Sequence, residues 1–414
     1  MTERTAGGWR LILGLVPSVY LPGFLLLVGE GMLIPTLPLF LRDEGLSYTA
    51  VSVVLAGAGV GALVWNLPAG VLLSHRSTRT VMLAGGAAVA GSTLLLAVTD
   101  LVPLLVLLRV VAGCGTASWM LSRQTYLVAV VPPFTRGRAM SLFGGLVRVA
   151  YLIGPIVGGV VAQAAGYRSA FVVAGLVSAA SLVSLVLGLR GDGRASVAPA
   201  PRPRGQLLSV VREHARTISV TGVGQLLSTA IRVGRLVILP LHGAAIGLTP
   251  AQIGVVIAAS SAVDMVLFPV AGVIMDRWGR LRAIVPCFVT MGVGMMLVPL
   301  AGDVASLVAV AVVIGIGNGL GAGTMLTVST DLAPERGTSE FLAALAVLRD
   351  SGAVLAPLIV GLLADRAGLG GAAVVLGALG VAGAGVFAFG VGETMRPVSA
   401  AVSAAGRAVV PDRA

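Results

Sequence analysis

The stretch LSTAIRVGRLVIL, residues 227–239, is apolar enough to cross a membrane, yet it carries Arg232 and Arg235 within one helical turn. A charged side chain at the bilayer centre costs about 2.5–3.5 kcal/mol on insertion scales, so two of them need a purpose. Stepping back 202 positions from Arg232 reaches Glu30, in LVGEGMLIPTLP at 27–38, a second apolar stretch with a single charge. At the same offset LPL at 37–39 meets LPL at 239–241, Gly45-Leu46 meets Gly247-Leu248, and Ala69-Gly70 meets Ala271-Gly272. Gly113 and Gly115 meet Gly315 and Gly317, while Pro155 and Gly159 meet Pro357 and Gly361. A single ungapped offset that aligns prolines as well as glycines marks a duplicated chain, with opposite charges at one equivalent position.

Composition fixes the medium. Hydrophobic residues make up 57% of the 414 and charged residues 11%, where soluble domains carry about 25% charged. Mean hydropathy is +1.01. The 57 glycines are about twice the usual share, and membrane helices use small residues for close packing. This describes a polytopic membrane protein. The +11 net charge comes entirely from arginine; no exposed aromatics interleave with it, which argues against nucleic acid as a partner. Cys114 and Cys287 fall in apolar spans, and His75, His214 and His242 are scattered without ligand spacing, so neither a disulfide framework nor a metal site is expected. No cofactor is expected either.

Spans of about 20 apolar residues, broken at polar and Gly/Pro clusters, predict an all-α protein of twelve transmembrane helices. They fall at 15–40, 50–73, 80–98, 103–131, 139–162, 169–189, 217–241, 250–275, 283–301, 304–330, 341–364 and 371–391. The domains are therefore an N-terminal six-helix bundle at 1–189, a basic linker at 190–216, a C-terminal bundle at 217–391 and a polar tail at 392–414. The Pro/Ala part of the linker reads as extended and mobile, and the tail as loose. Counting arginines in the connections puts 19 on the side of the termini and only Arg42, Arg168 and Arg366 on the other. The positive-inside rule then makes both termini cytoplasmic, in the cell membrane.

The connection GVIMDRWGRLR, residues 272–282, combines Gly272, Asp276, Arg277, Gly279 and Arg280. Its glycines suit close helix approach and a tight turn, and an acid at a helix end can cap a neighbouring helix. This pattern resembles the loop signature of the major facilitator superfamily. Its N-terminal counterpart, GVLLSHRSTRT at 70–80, has Ser74 in place of the acid and Ser77 in place of the second glycine. GPIVGG at 154–159 supplies Gly154, Pro155, Gly158 and Gly159 and resembles the fifth-span motif of that family's drug:proton antiporters. RVVAGCG at 109–115 is similar to an element of the family's fourth span, which is linked to substrate and proton. The resemblance implies two pseudo-symmetric six-helix bundles that bind cargo between them near the midplane.

Charges inside the spans are the candidate site. Arg109, Arg123, Arg232 and Arg235 are expected in the substrate cavity, and Glu30 and Asp264 are the candidate proton carriers. Arg148 and Asp350 exchange charge at the same offset, which suggests a pair across the bundle interface, a shared polar cavity, or a static tie between the halves. Six arginines, Arg349 included, against three acids leave the interior net positive, which favours neutral or anionic amphiphiles. The sequence thus predicts a monomeric secondary transporter, not an enzyme, whose partners are a small-molecule substrate, protons and membrane lipid. Export of small amphiphiles by proton antiport is the first expectation; import or facilitated passage of an organic anion is the second. No phosphate loop, nucleophile elbow or metal set argues for enzyme chemistry.

Overall fold

The computed structural model describes residues 14–188 and 206–395. The mobile linker and loose tail expected from sequence therefore lie largely outside the described residues, as do many of the arginines used to orient the chain. Within them the protein has helices and no strand, and eleven helical segments are long and apolar enough to cross a membrane; the last of them breaks in two, which gives twelve helices. These are α1 (Val16–Asp43), α2 (Tyr48–His75), α3 (Thr78–Leu96), α4 (Val102–Val130), α5 (Pro133–Ala165) and α6 (Tyr167–Gly188). The second half comprises α7 (Ala215–Ala245), α8 (Pro250–Trp278), α9 (Leu281–Leu300) and α10 (Val304–Leu332). The last helical segment, Thr338–Val391, is broken at Gly368 (φ 74°) into α11, 338–367, and α12, 369–391. A short helix, Gln206–Glu213, precedes α7.

Local chemistry places the ends. Ser47 caps α2 by accepting from the Ala50 N–H, and Ser77 caps α3 through Thr80. Thr249 with Gln252, and Asp303 with Ser306, form reciprocal capping boxes at α8 and α10. Each satisfies donors that a helix start leaves unpaired. The duplication extends to backbone conformation at the turns. Gly45 (φ 80°) and Gly247 (φ 81°) turn α1 into α2 and α7 into α8, while Gly166 (φ 84°) and Gly368 (φ 74°) turn α5 into α6 and α11 into α12. Both pairs are 202 apart, at positions where a Cβ is disfavoured.

Each six-helix half has its own core. In the first, α1 packs on α5 and α6, and α4 on α2 and α3; in the second, α7 packs on the α11–α12 segment and α10 on α8 and α9. The halves meet where α5 lies on α8 and where α2 lies on α11. Glycines set these seams. Gly159 abuts the Pro250 carbonyl and Gly254 the Pro155 carbonyl; by the same offset, Gly361 abuts Tyr48 and Ser52. A Cβ on Gly59 would sit 3.2 Å from the Ala353 carbonyl oxygen. Without a hydrophobic drive between lipid-embedded helices, such close backbone approach is a main source of adhesion. These contacts gather at the end formed by the α1–α2 and α7–α8 turns. Toward the opposite end, Gly137, Gly145 and Gly272 have nothing within 4 Å of where a Cβ would stand.

One polar latch secures the closed end. Asp365, at the end of α11, accepts the Tyr48 N–H at 3.0 Å and the Thr49 N–H at 2.8 Å, so its carboxylate sits on the N-terminus of α2 in the other half. Negative charge is stabilised there by the helix dipole. The Arg42 guanidinium lies 4.1 Å from the Tyr48 ring centroid and packs the same corner. At the equivalent position Gln163 stands in place of the acid, and Pro250, the counterpart of Tyr48, has no N–H to donate. The latch is therefore one-sided. Removing it with Asp365→Ala is expected to raise amide hydrogen exchange in residues 46–52 several-fold and leave 248–254 unchanged. Equal protection in the variant would show that Asp365 does not hold this end shut.

Candidate functional site

Glu30 projects from the middle of α1, where its carboxylate accepts the Thr116 hydroxyl of α4. Arg109, on α4 two turns before Thr116, acts on it electrostatically. Both line a cavity of about 210 Å³ whose other walls are apolar. Leu33, Leu37 and Leu55 come from the first half, and Val233, Leu236 and Val237 from α7 of the second. The Arg109 Nε is buried without a hydrogen-bond partner. The guanidinium thus stays inside the protein rather than reaching toward the membrane surface, and keeps a donor free.

The repeat mate is built on the same plan. Arg232 donates to Asn318 on α10 at 2.7 Å, and the two residues are 86 apart, as are Glu30 and Thr116. Further contacts to the Gly321 carbonyl at 3.2 Å and the Cys287 sulfur at 3.5 Å hold Arg232 inside the second half. Glu30 and Arg232 therefore occupy equivalent positions without bonding to each other; each is satisfied by the polar residue that its own fourth or tenth helix presents.

A second charged group lies where α5, α7 and α8 meet. Arg148 approaches Asp264 at 3.5 Å and lies 4.0 Å from the Phe268 ring centroid. Arg235, only 9% exposed, donates to Ser260 on α8 at 2.8 Å. Tyr151, one turn beyond Arg148 on α5, interacts electrostatically with Glu30, Arg109 and Arg235 and so sits between the two groups.

Two expectations need correction. Arg148 and Asp350 do not pair with each other: Arg148 turns to Asp264, and Asp350 pairs with Arg349 at 2.9 Å and accepts from Asn66 of α2 at 3.4 Å. Their helices explain this, since α5 packs on α8 and α11 on α2, along different seams. Each residue still touches the opposite half. Arg123 is not at the cavity. It stacks on Phe143 at 3.4 Å, close to the buried Trp119, because 14 residues beyond Arg109 carry it about 21 Å further along α4.

In the 272–282 connection the hub is Arg280. It reaches Asp331 at 3.0 Å, Asp276 at 3.4 Å and the Met275 carbonyl at 2.7 Å. Asp276 is exposed and caps no neighbouring helix. That role falls to Glu393, just after α12, which accepts the N–H groups of Arg280 and Leu281 at the start of α9 at 2.9 and 3.0 Å. Gly279 (φ 103°) leaves the space that this carboxylate fills. Gly272 faces open space, and Arg277 is exposed. Burial raises the Glu393 pKa, but backbone donors from Arg280, Met395 and Leu281 outweigh it and hold the group below its ordinary value. The cap is thus fully charged at neutral pH and is lost only as pH falls through that lowered pKa. In α5, Gly154 and Gly158 seat on Gly31 and Met32 of α1, while Pro155 and Gly159 meet α8, so one motif touches both halves.

Sequence reading passed over Tyr151, Thr116, Asn318, Ser260 and Glu393. Thr116 and Asn318 were within reach, since they are 202 apart and each lies 86 residues beyond Glu30 or Arg232. Tyr151 also carried a signal, three residues after Arg148 on one helix face. Ser260 and Glu393 gave none. Among the described residues, no three His, Cys, Asp or Glu side chains are placed to hold a metal ion.

Comparison with known proteins agrees with this architecture. A family model described as Major Facilitator Superfamily matches residues 19–231 and 221–412. An uncharacterized MFS-type transporter of Methanocaldococcus jannaschii is 20% identical over 85% of this chain and 91% of its own. The quinolone resistance protein NorA of Staphylococcus aureus is 21% identical over 47% of this chain, which spans 50% of that relative's length. Among solved structures, a bacterial homologue of the human lysosomal transporter Spinster, in an inward-facing and occupied conformation, superposes with a TM-score of 0.76. That match has 13% identity and covers 94% of this chain and 97% of the other.

The seam geometry has a direct test. A Cβ at Gly159 would lie nearer the Pro250 carbonyl oxygen than real Cβ atoms come, so the backbones of α5 and α8 must part to admit one. Gly159→Ala is therefore expected to lower the thermal unfolding midpoint in detergent by several degrees, while Gly145→Ala, whose Cβ meets nothing within 4 Å, leaves it unchanged. Equal midpoints in the two variants would mean that α5 and α8 do not meet at Gly159.

Proposed function

The chain belongs to the major facilitator superfamily of transporters, and from that premise we propose that it exports small amphiphilic molecules by proton antiport. The observation that carries this reading is Glu30: a carboxyl in an otherwise apolar cavity wall, held by Thr116 and faced by Arg109. A carboxyl so placed retains or releases its proton according to whether an arginine faces it and whether water reaches it. As the halves rock about their seams, α1 is exposed first to one side of the membrane and then to the other, and Glu30 exchanges a proton with each. One charge crossing 100 mV supplies about 2.3 kcal/mol, so one or two protons per cycle sustain a useful gradient. Asp264, against Arg148, is the second proton site.

Outward transport is supported by the GPIVGG motif at 154–159 and by the likeness to a protein named for quinolone resistance. Both termini face the cytoplasm in this reading, on the arginine count, so the conformation described is open inward. The protein acts in the cell membrane as a monomer, with lipid around it. The second reading, uptake or facilitated passage of an organic anion, draws support from Arg109 beside Glu30 and from Arg148 and Arg235 beside Asp264.

Glutamine keeps the shape of Glu30 and removes its titration. In inverted vesicles with an acidified lumen, the wild type is expected to concentrate members of a panel of fluorescent amphiphiles. Glu30→Gln should abolish that accumulation yet keep downhill flux within about twofold. If the variant still concentrates the dyes at the wild-type rate, Glu30 is not the carrier, and Asp264 is tested next.

A further inference from the structure

The α5–α7–α8 group holds more positive charge than its one acid balances, and its hydrogen bonding is incomplete. Arg148 and Arg235 both act on Asp264, and Arg232 lies within electrostatic reach of both arginines while its own hydrogen bonds go to Asn318, Gly321 and Cys287. The Nε of each arginine is buried without an acceptor, and so is Asp264 Oδ1, which approaches the Arg148 Nε at 3.5 Å without forming a hydrogen bond. Buried polar atoms left unpaired are costly and call for a further partner. Asp264 is 8% exposed and Arg235 9%, so neither is satisfied by bulk water.

α7 links this group to the apolar cavity. Arg232 and Arg235 point to one side of the helix, while Val233, Leu236 and Val237, whose mean direction is about 120° around, line the cavity with Leu33 and Leu37. We propose that the arginine group is a head-group subsite for an oxyanion, whether carboxylate, sulfonate or phosphate, and that the apolar cavity takes the body of the same molecule. This rests on the transporter reading and names the charge class of its cargo. Asp264 is the internal counter-ion that holds Arg148 and Arg235 in place while the subsite is empty; the cargo's oxyanion replaces it as their partner. A cationic cargo would face three guanidinium groups against one carboxylate.

The full-length protein in lipid nanodiscs is titrated with three probes that share one apolar body: 2-naphthylacetate, 2-(2-naphthyl)ethanol and 2-(2-naphthyl)ethylammonium. Calorimetry is expected to show the anion binding about tenfold tighter than the cation, the scale of one charge-assisted hydrogen bond. Arg235→Gln should cost the anion about tenfold and leave the alcohol within about twofold; Arg148→Gln provides a second variant should the first fail to fold. Asp264→Asn, which removes the competing carboxylate, should tighten the anion several-fold. Tighter binding of the ammonium probe, an anion affinity indifferent to both arginine variants, or weaker anion binding in Asp264→Asn overturns the proposal. Binding is read without a gradient, so loss of uphill export with the anion preference intact would sink antiport alone.

Discussion

A guanidinium or carboxylate between lipid-embedded helices must find its partners within the protein, because the membrane offers none. That requirement shapes the site more than any other. Glu30 is held by Thr116, Arg232 by Asn318, Arg235 by Ser260, and Arg148 by Asp264 with the Phe268 ring beside it. Each is placed on a helix that faces the other half or packs immediately behind one that does. The glycines answer a separate need: Gly159, Gly254, Gly361 and Gly59 let the backbones of the two halves approach closely along both seams, where no hydrophobic drive holds lipid-embedded helices together.

Duplication supplied the frame, and divergence of charge supplied the asymmetry. Turn glycines, seam glycines and the spacing from first to fourth span all repeat at one offset. On that frame one half carries an acid with a hydroxyl donor and the other a base with an amide acceptor. The closing latch has diverged too: Asp365 grips the start of α2, while the opposite corner offers Gln163 and a proline without an N–H. Two halves that pack alike but differ in charge offer a bound ligand different contacts in two related conformations, and only such a difference lets a ligand shift their balance.

Much of the fold was legible in the sequence. Hydropathy located all twelve spans to within a few residues at most ends, because membrane helices must be apolar along their length. The offset from Glu30 to Arg232 carried the duplication, and family motifs carried the architecture. The site was legible only in part, since a sequence shows which residues are charged but not which neighbour each will face. Arg148 and Asp350 share an offset but sit on helices of different seams, and Arg123 shares a face with Arg109 but lies too far along it. Glu393 had no signal at all: its capping role depends on α12 ending beside the start of α9, a fact of tertiary packing.

The central claim is that the two halves rock about their seams, with one end closing as the other opens. Pulsed electron–electron distance measurements between spin labels address it directly. One pair, at Glu44 and Ala367, spans the closed end of the α2–α11 seam; the other, at His75 and Ser339, spans its open end. Over a pH titration in nanodiscs the account predicts two populations at each end that change in opposite directions, so that the short-distance fraction at one end grows as that at the other shrinks. Distances that stay fixed at both ends, or that lengthen at both together, would contradict it.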